Sequence, residues 1–429
     1  MKILITGASG FIGGRLRSAL QGRGHALRLA GRRPPSGLAS DEEWVSLDLA
    51  RPADAAHWRA SLEGVDVVVN CVGILQERGT QTFAALHVDG PRALFEACVQ
   101  ARVGGVVQVS ALGADEAART RYHLSKRAAD EFLLGLPIAA VVVRPSLVFG
   151  PDGASARLFT LLASLPVVPL PAGGHQPLQP IHVDDAIACL VRLVEARARA
   201  ATPIVALVGP APITLREYLQ ALRMSLRMGR APTVSIPAAA MGAAANLAAR
   251  IPDSHFDAET WQMLQRGNVA PVDDTVALLG RMPRAPDRFV PPELAAAMRR
   301  SAQLGWLLPV LRLSIAAVWI VTGIVSLGVY PVADSYALLA RAGVGTALAP
   351  WALYGAALLD LAFGIATLMV KRRRWLWLAQ IALIVGYTAI ISVRLPEFWL
   401  HPYGPVLKNL PMLAALWLLL ELERDEDRA

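Results

Sequence analysis

Apolar residues fall in short β-branched runs over the first part of the chain and in long unbroken stretches near its end. Residues 3–6, Ile-Leu-Ile-Thr, are apolar without alternation, the pattern of a strand covered on both faces of a parallel sheet. Glycine breaks the run at position 7, and apolar residues at helical spacing follow at Leu16, Ala19 and Leu20. Runs at 25–30, 44–47, 65–69 and 106–109 predict four more strands, separated by helical stretches such as 54–62 and 82–102. Strand and helix in alternation specify an α/β fold, a doubly wound parallel sheet whose ligand lies at the carboxyl ends of its strands.

From about 151 to 300 the chain turns rich in proline and alanine and loses that alternation. Residues 153–171 and 214–230 read as helices and 203–208 as a strand, a small substrate-side subdomain that completes an N-terminal domain over 1–300. The apolar stretch 238–249 is too short to span a bilayer. Four further stretches, 306–330, 350–370, 375–393 and 406–420, predict a four-helix transmembrane bundle over 301–429. The fourth is the shortest and carries Lys408 and Asn409. Arg299 and Arg300 precede the first span, and a basic run at 371–374 separates the second from the third. The positive-inside rule places both clusters, the N-terminal domain and the tail 421–429 on the cytoplasmic side of a bacterial inner membrane. Among the polar residues in the spans, Arg312, Asp360, Gln380 and Tyr387, the acid is the costliest at mid-membrane depth. Asp360 is therefore read as a functional group or as a structural contact between helices.

Composition supports a membrane part: 54% of the 429 residues are hydrophobic, and the mean hydropathy is +0.42. The formal charge of +8 would suit nucleic acid, but the basic residues are dispersed or flank apolar stretches, so membrane orientation accounts for them and no nucleic-acid partner is expected. Cys71, Cys98 and Cys189 are scattered, with neither a disulfide framework nor metal spacing. His175, His182 and His255 are spaced unlike zinc ligands, and Asp184-Asp185 reads as helix capping, so no metal site is expected. Lys2 leads straight into the first strand with no signal peptide ahead of it, which again predicts a cytoplasmic N-terminal domain.

The candidate chemistry begins at the first strand-to-helix turn, where Gly7, Gly10 and Gly13 frame Ser9, Phe11 and Ile12. Such a turn lets backbone approach a pyrophosphate and presents a helix N-terminus to it. After the second strand a dinucleotide fold reads the adenosine ribose. An acid there selects NAD; here Arg32 and Arg33 follow Gly31, which favours the 2′-phosphate of NADP(H) over NAD(H). Asp48-Leu49 ends the third strand and can reach an adenine edge, while Asn70, Val72 and Gly73 end the fourth. The fifth delivers Ser110, and twelve residues on stand Tyr122 and Lys126. A spacing of four puts phenol and ammonium on one helix face, where the ammonium lowers the phenol's pKa toward neutral proton exchange and Ser110 can bond the same substrate oxygen. Only four lysines occur in the chain, so the pairing is unlikely to arise by chance.

These glycines with Ser110, Tyr122 and Lys126 resemble the short-chain dehydrogenase/reductase superfamily in its extended or atypical form, a Rossmann-type fold. Segments 109–114, 144–151 and 179–185 are similar to the branch containing the NADPH-binding accessory subunit of respiratory complex I. That resemblance implies that Pro145 and Ser146 lie near the nicotinamide and that the His-Val-Asp-Asp segment at 182–185 closes the substrate side. It also implies an asparagine where His87 stands. The spans, with Trp319 and the loops around Tyr330-Pro331, 396–402 and 408–411, resemble a DoxX-like membrane family. The implied function is a membrane-anchored oxidoreductase working on a lipophilic carbonyl, alcohol or quinone-related molecule. Its rivals are a nucleotide-sugar epimerase or dehydratase, and a cofactor-loaded scaffold for a membrane protein complex.

Overall fold

The computed structural model describes residues 1–35, 37–51, 55–248, 257–371 and 373–423, with the backbone alone at 55–57. Expectations placed on Asp54, Ala249, His255, Arg372 and the tail beyond Glu423 lie outside the described residues. The chain forms two compact units, Met1–Ala302 and Gln303–Ala429.

In the first unit β1 (Lys2–Thr6), α1 (Phe11–Gln21), β2 (Ala26–Gly31), β3 (Glu42–Ser46), α2 (Ala55–Leu62) and β4 (Val67–Asn70) follow in order. A wide helical turn, Ala84–Asp89, leads into α3 (Gly90–Gln100), then β5 (Gly105–Val109), α4 (Arg121–Leu134) and β6 (Ala140–Pro145). These strands and a seventh, Ile204–Leu207, make one parallel sheet ordered seventh-β6-β5-β4-β1-β2-β3. The order reverses between β1 and β4, and a crevice opens at the strand ends there.

The unalternating runs are explained by cover on both faces. Ile3, Ile5, Val67, Val69, Val107 and Val143 pack on one side against Leu16 and Leu20 of α1 and against α6 (Val183–Glu195). Leu4, Val68, Val106 and Val142 point to the other side, against α2, α3 and α4 through Trp58, Leu94, Phe95 and Leu133. Alternate residues of each strand thus enter different cores. Residues 183–207, expected in the substrate-side part, return to this sheet because the apolar residues of α6 recur every three or four positions and fill its open face. A third core joins α5 (Ala154–Ser164), α7 (Leu215–Ser225) and Phe289 around Tyr218 and Phe149. Beyond it lie α8 (Ala238–Ala248), α9 (Ala258–Arg266) and α10 (Asp273–Leu279).

The first glycine turn is fixed by crowding. Gly7 sits at φ +70°, and a Cβ on Gly13 would stand 2.2 Å from the Gly7 carbonyl oxygen.

The second unit takes in most of α11 (Ala295–Ile324), then α12 (Val332–Arg341), α13 (Ala349–Met369), α14 (Arg374–Arg394) and α15 (Asn409–Leu422). Three helical stretches among the described residues are long and apolar enough to cross a membrane: Ala295–Val329, Ala349–Met369 and Arg374–Arg394. The fourth expected stretch is shorter than the other three. Turns around Gly404 delay its start to Asn409, and the 14 residues of α15 rise only about 21 Å, short of a hydrocarbon core of about 30 Å. The bundle core is Ile315, Trp319, Trp377, Ile384, Leu416 and Leu419, with two polar layers set in it. Trp319 donates to Gln380 at 2.8 Å, and Gln380 donates to Thr367 at 2.9 Å. Arg312 and Trp377 both donate to Glu423, at 2.7 and 3.0 Å. Asp360 is buried on the face of α13 that carries Ala357, Gly364 and Thr367.

Gly13→Ala is expected to lower the thermal midpoint of the detergent-purified protein. The overpacking it forces costs about 1–3 kcal/mol. An unchanged melting curve would mean that α1 can shift away from β1 at no cost.

Candidate active site

Gly10 is the N-cap of α1, no side chain caps the helix's first turn, and no acid lies in that turn. Its N–H groups face outward with the positive end of the helix dipole behind them. A Cβ on Gly10 would approach the Gly7 carbonyl to 3.1 Å. Backbone donors, missing side-chain bulk and positive potential together fit a pyrophosphate group. Phe11 turns away from this cradle to pack on Gly150, where a Cβ would meet its ring at 2.8 Å. A groove of about 940 Å³ between α1 and α6 touches Ser9, Gly10 and Phe11 but reaches none of Ser110, Tyr122 and Lys126.

Arg32 and Arg33 are exposed at the end of β2. The Arg32 guanidinium faces the Gln81 amide, 2.7 Å from its oxygen in the orientation that satisfies both groups. Asp48 accepts the Ala50 N–H at 3.1 Å, and Leu49 is buried in the second core. Asn70 is turned into the sheet: it accepts from Thr6 Oγ1 at 2.6 Å and from Val72 N at 3.3 Å, and donates to Gln108 at 2.7 Å. This side chain ties β1, β4 and β5 together from within and does not face the crevice.

Thr120 caps α4 by accepting the His123 N–H, which puts Tyr122 in the helix's first turn and Lys126 one turn on. Lys126 is buried, and its ammonium donates to the carbonyls of Val72 and Val109 at 3.1 and 3.2 Å, across the ends of β4 and β5. A Cβ on Gly73 would stand 2.9 Å from this nitrogen, so glycine makes room for it. Burial lowers the Lys126 pKa to about 8, and the nearby Asp130 charge works against that.

Tyr122 corrects the expected lowering. Its phenol is pushed up to about 12, first by desolvation and then by the Asp130 charge, while the ammonium is spent on two carbonyls. Ser110 also differs from expectation: its hydroxyl donates to Asp130 at 2.7 Å. His87 is buried with both ring nitrogens engaged. Nε2 accepts the Ile74 N–H at 3.0 Å, and Nδ1 meets Ser125 Oγ at 2.9 Å. Burial and the Lys126 charge push its pKa down to about 2, so it stands neutral behind the lysine.

Ser146 donates to the Gln179 carbonyl at 2.6 Å, and the Pro145 carbonyl accepts the Leu112 N–H. In the 182–185 segment His182 caps α6, whereas the two acids expected as caps sit in its first turn. Asp185 accepts from the Arg281 side chain and the Arg284 N–H, so this segment anchors the chain after α10.

Residues 3–209 match the model of the NAD dependent epimerase/dehydratase family, and residues 316–417 match the DoxX-like family. The chain joins an epimerase-like dehydrogenase/reductase domain to a DoxX-like one. It is 34% identical over 212 residues to the ceramide reductase of Caulobacter vibrioides, covering 48% of this chain and 63% of that protein. It is 25% identical over 236 residues to the mitochondrial NADH dehydrogenase [ubiquinone] 1 alpha subcomplex subunit 9 of Arabidopsis thaliana, covering 52% and 57%. The chain thus spans 63% or less of the length of these relatives. MoeE5 in complex with UDP-glucose and NAD shares the fold at 22% identity and TM-score 0.51, over 71% of this chain and all of that one. UDP-glucuronic acid 4-epimerase from Bacillus cereus shares it at 17% and 0.50, over 71% and 99%. The DoxX-like match and the three long apolar helices mark the protein as membrane-associated.

The residue that sequence reasoning missed is Asp130. It is fully buried, accepts from Ser110 and from Arg144 at 3.2 Å, and keeps Oδ1 without a partner. Its signal was the spacing of Tyr122, Lys126 and Asp130 at i, i+4 and i+8 on one helix face. Burial raises its pKa from 3.8 to about 6, opposed by the Ser110 and Arg144 bonds and the Lys126 charge. Between those values the folded protein keeps a proton that the unfolded chain has lost, so stability falls as pH rises through the window. A shift of about two units corresponds to about 3 kcal/mol. Asp130→Asn is therefore expected to gain up to about that much stability over wild type between pH 4 and pH 7, read from paired thermal midpoints. A difference that stays constant with pH would contradict this.

Proposed function

We propose that this chain is a membrane-anchored, NADP(H)-dependent oxidoreductase of the short-chain dehydrogenase/reductase type, acting on a carbonyl or alcohol of a lipophilic substrate. The observation that carries the reading is the placement of Tyr122 and Lys126 one turn apart on α4, with the ammonium across the ends of β4 and β5 beside the glycine turn. In this reading the backbone from Gly7 to Gly13 holds the pyrophosphate and Arg32 and Arg33 the 2′-phosphate. Asp48 and Leu49 border the adenine, and Val72, Gly73, Pro145 and Ser146 border the nicotinamide. Bound nicotinamide supplies or accepts a hydride. Tyr122 gives a proton to the substrate oxygen or takes one from it, Lys126 holds the ribose, and Ser110 positions the oxygen. The name of the Caulobacter relative supports a lipid substrate.

In this reading the protein lies in a bacterial inner membrane with its N-terminal unit cytoplasmic, and the basic residues before the first span and between α13 and α14 support it. The Arg312–Glu423 pair brings the end of α15 level with the early turns of the first span, which supports a C-terminus on that same side.

The substrate test uses full-length protein in mixed micelles with the ketone corresponding to a ceramide's secondary alcohol. Tyr122→Phe is expected to reduce NADPH-dependent turnover by about 10²–10⁴-fold with NADPH affinity unchanged, whereas Lys126→Ala should weaken both. NADPH should bind tighter than NADH by about 1.5–3 kcal/mol in calorimetry, a preference lost in an Arg32→Ala/Arg33→Ala variant. Equal affinities in the wild type would remove the NADP assignment. The Ser110–Asp130 bond favours a second reading, a nucleotide-loaded scaffold, because it ties up the hydroxyl that would greet a substrate. Full rescue of a deletion strain by Tyr122→Phe, with none by stably expressed Gly10→Glu, would leave that second reading standing and overturn the first.

A further inference from the structure

Helix α8 has the sequence Ala-Ala-Ala-Met-Gly-Ala-Ala-Ala-Asn-Leu-Ala, without a single charge. Apart from the exposed Asn246 its residues are all apolar, and a helix apolar on all sides belongs in a core or in a bilayer. Here only Ala245 is buried, while Leu247 is 62% exposed and the preceding strand, Thr233–Ile236, exposes Val234. The link from α7 to that strand carries Arg227 and Arg230, both exposed. Arg299 Nη1 donates to the Arg227 carbonyl at 3.5 Å, and Arg299 and Arg300 belong to the early turns of α11, which continues as the long apolar stretch ending at Val329. An uncharged exposed helix therefore follows a basic link that touches the root of a membrane-length helix.

We propose that α8 is a second membrane contact of this chain, lying in the headgroup–acyl boundary of an anionic bilayer while Arg227, Arg230, Arg299 and Arg300 engage lipid phosphates. Three features select a lipid surface. The helix carries no charge with which to register a protein partner, the charges of the link ahead of it, Arg227 and Arg230, are basic, and that link's contact at Arg299 is continuous with a membrane-length helix of the same chain. The placement stands apart from the assigned reaction. If that reaction holds, it also gives a lipid a short way in. Helix α9, against which α8 lies, is joined to α4 by the Arg121–Glu259 pair, one residue from Tyr122.

The experiment places a nitroxide on the full-length protein in phosphatidylglycerol-containing liposomes, at Leu247→Cys and separately at Ala240→Cys, in a Cys71→Ser background. Leu38→Cys, 42% exposed and remote in sequence, is the water-facing control. The ratio of oxygen to water-soluble nickel-chelate collisions is expected to be several-fold higher at both α8 sites than at Leu38. Adding Arg227→Glu and Arg230→Glu should lower that ratio in anionic liposomes and leave it unchanged in zwitterionic ones. Nickel accessibility at α8 equal to the control would overturn the proposal. Exclusion of both reagents would overturn it too, assigning the helix to a second copy or a protein partner. The readout needs no turnover, so failure of the enzymatic assignment and failure of the membrane contact are told apart.

Discussion

One buried positive charge governs the candidate site. The Lys126 ammonium has left water for two backbone carbonyls, Val72 and Val109, which supply dipoles but no countercharge. Its neighbours follow from that placement. Gly73 must lack a Cβ, because the nitrogen fills the space one would occupy. His87 must stay neutral, since a second cation beside a desolvated ammonium would be costly, and its ring is fixed by an accepted N–H and a serine. The nearest compensation is Asp130, one turn further along the helix, which shares its own charge with Ser110 and Arg144. Glycine, histidine and acid form one electrostatic arrangement in which each would be unfavourable without the others.

What could be read from the sequence divides along the same physical line. Strand runs and the glycine turn were legible because backbone geometry dictates them: both-face burial removes alternation, and close packing of α1 on β1 demands glycine. The face shared by Tyr122 and Lys126 was legible because helical period alone fixes it. Asp130 shares that face yet escaped notice, because an acid four residues after a lysine ordinarily reads as a solvated pair. Only the fold buries it against β5 and β6. Asn70 misled in the opposite sense: its position at a strand end suggested a ligand contact, while its amide closes a chain from Thr6 to Gln108 inside the sheet.

The DoxX-like unit shows the same asymmetry. Apolar length located its helices, but hydropathy carries no information about which polar side chains meet. Gln380 is satisfied by Trp319 and Thr367 from two other helices, and Arg312 by a glutamate near the chain's end. Buried polar groups in such a bundle must find partners, so these layers fix which helix faces which. Asp360 departs from that order, as do the ring N–H of Trp306 and Nε of Arg373: its Oδ1 is buried and unpartnered on a face that also carries Ala357, Gly364 and Thr367.

The two ends of α4 are held by interactions of very different strength, and that difference bears on access. Lys126 and Asp130 are locked into the sheet by buried bonds whose loss would strand a charge. At the first turn Arg121 reaches Glu77, after β4, and Glu259 on α9, with the arginine side chain 69% exposed. Exposed pairs of this kind contribute at most about 1 kcal/mol each. Opening the outer wall beside Tyr122 therefore costs little, whereas displacing Lys126 or Asp130 costs a great deal. A substrate of the proposed lipophilic kind would be admitted by parting the Arg121 contacts while Lys126 and Asp130 stay in register.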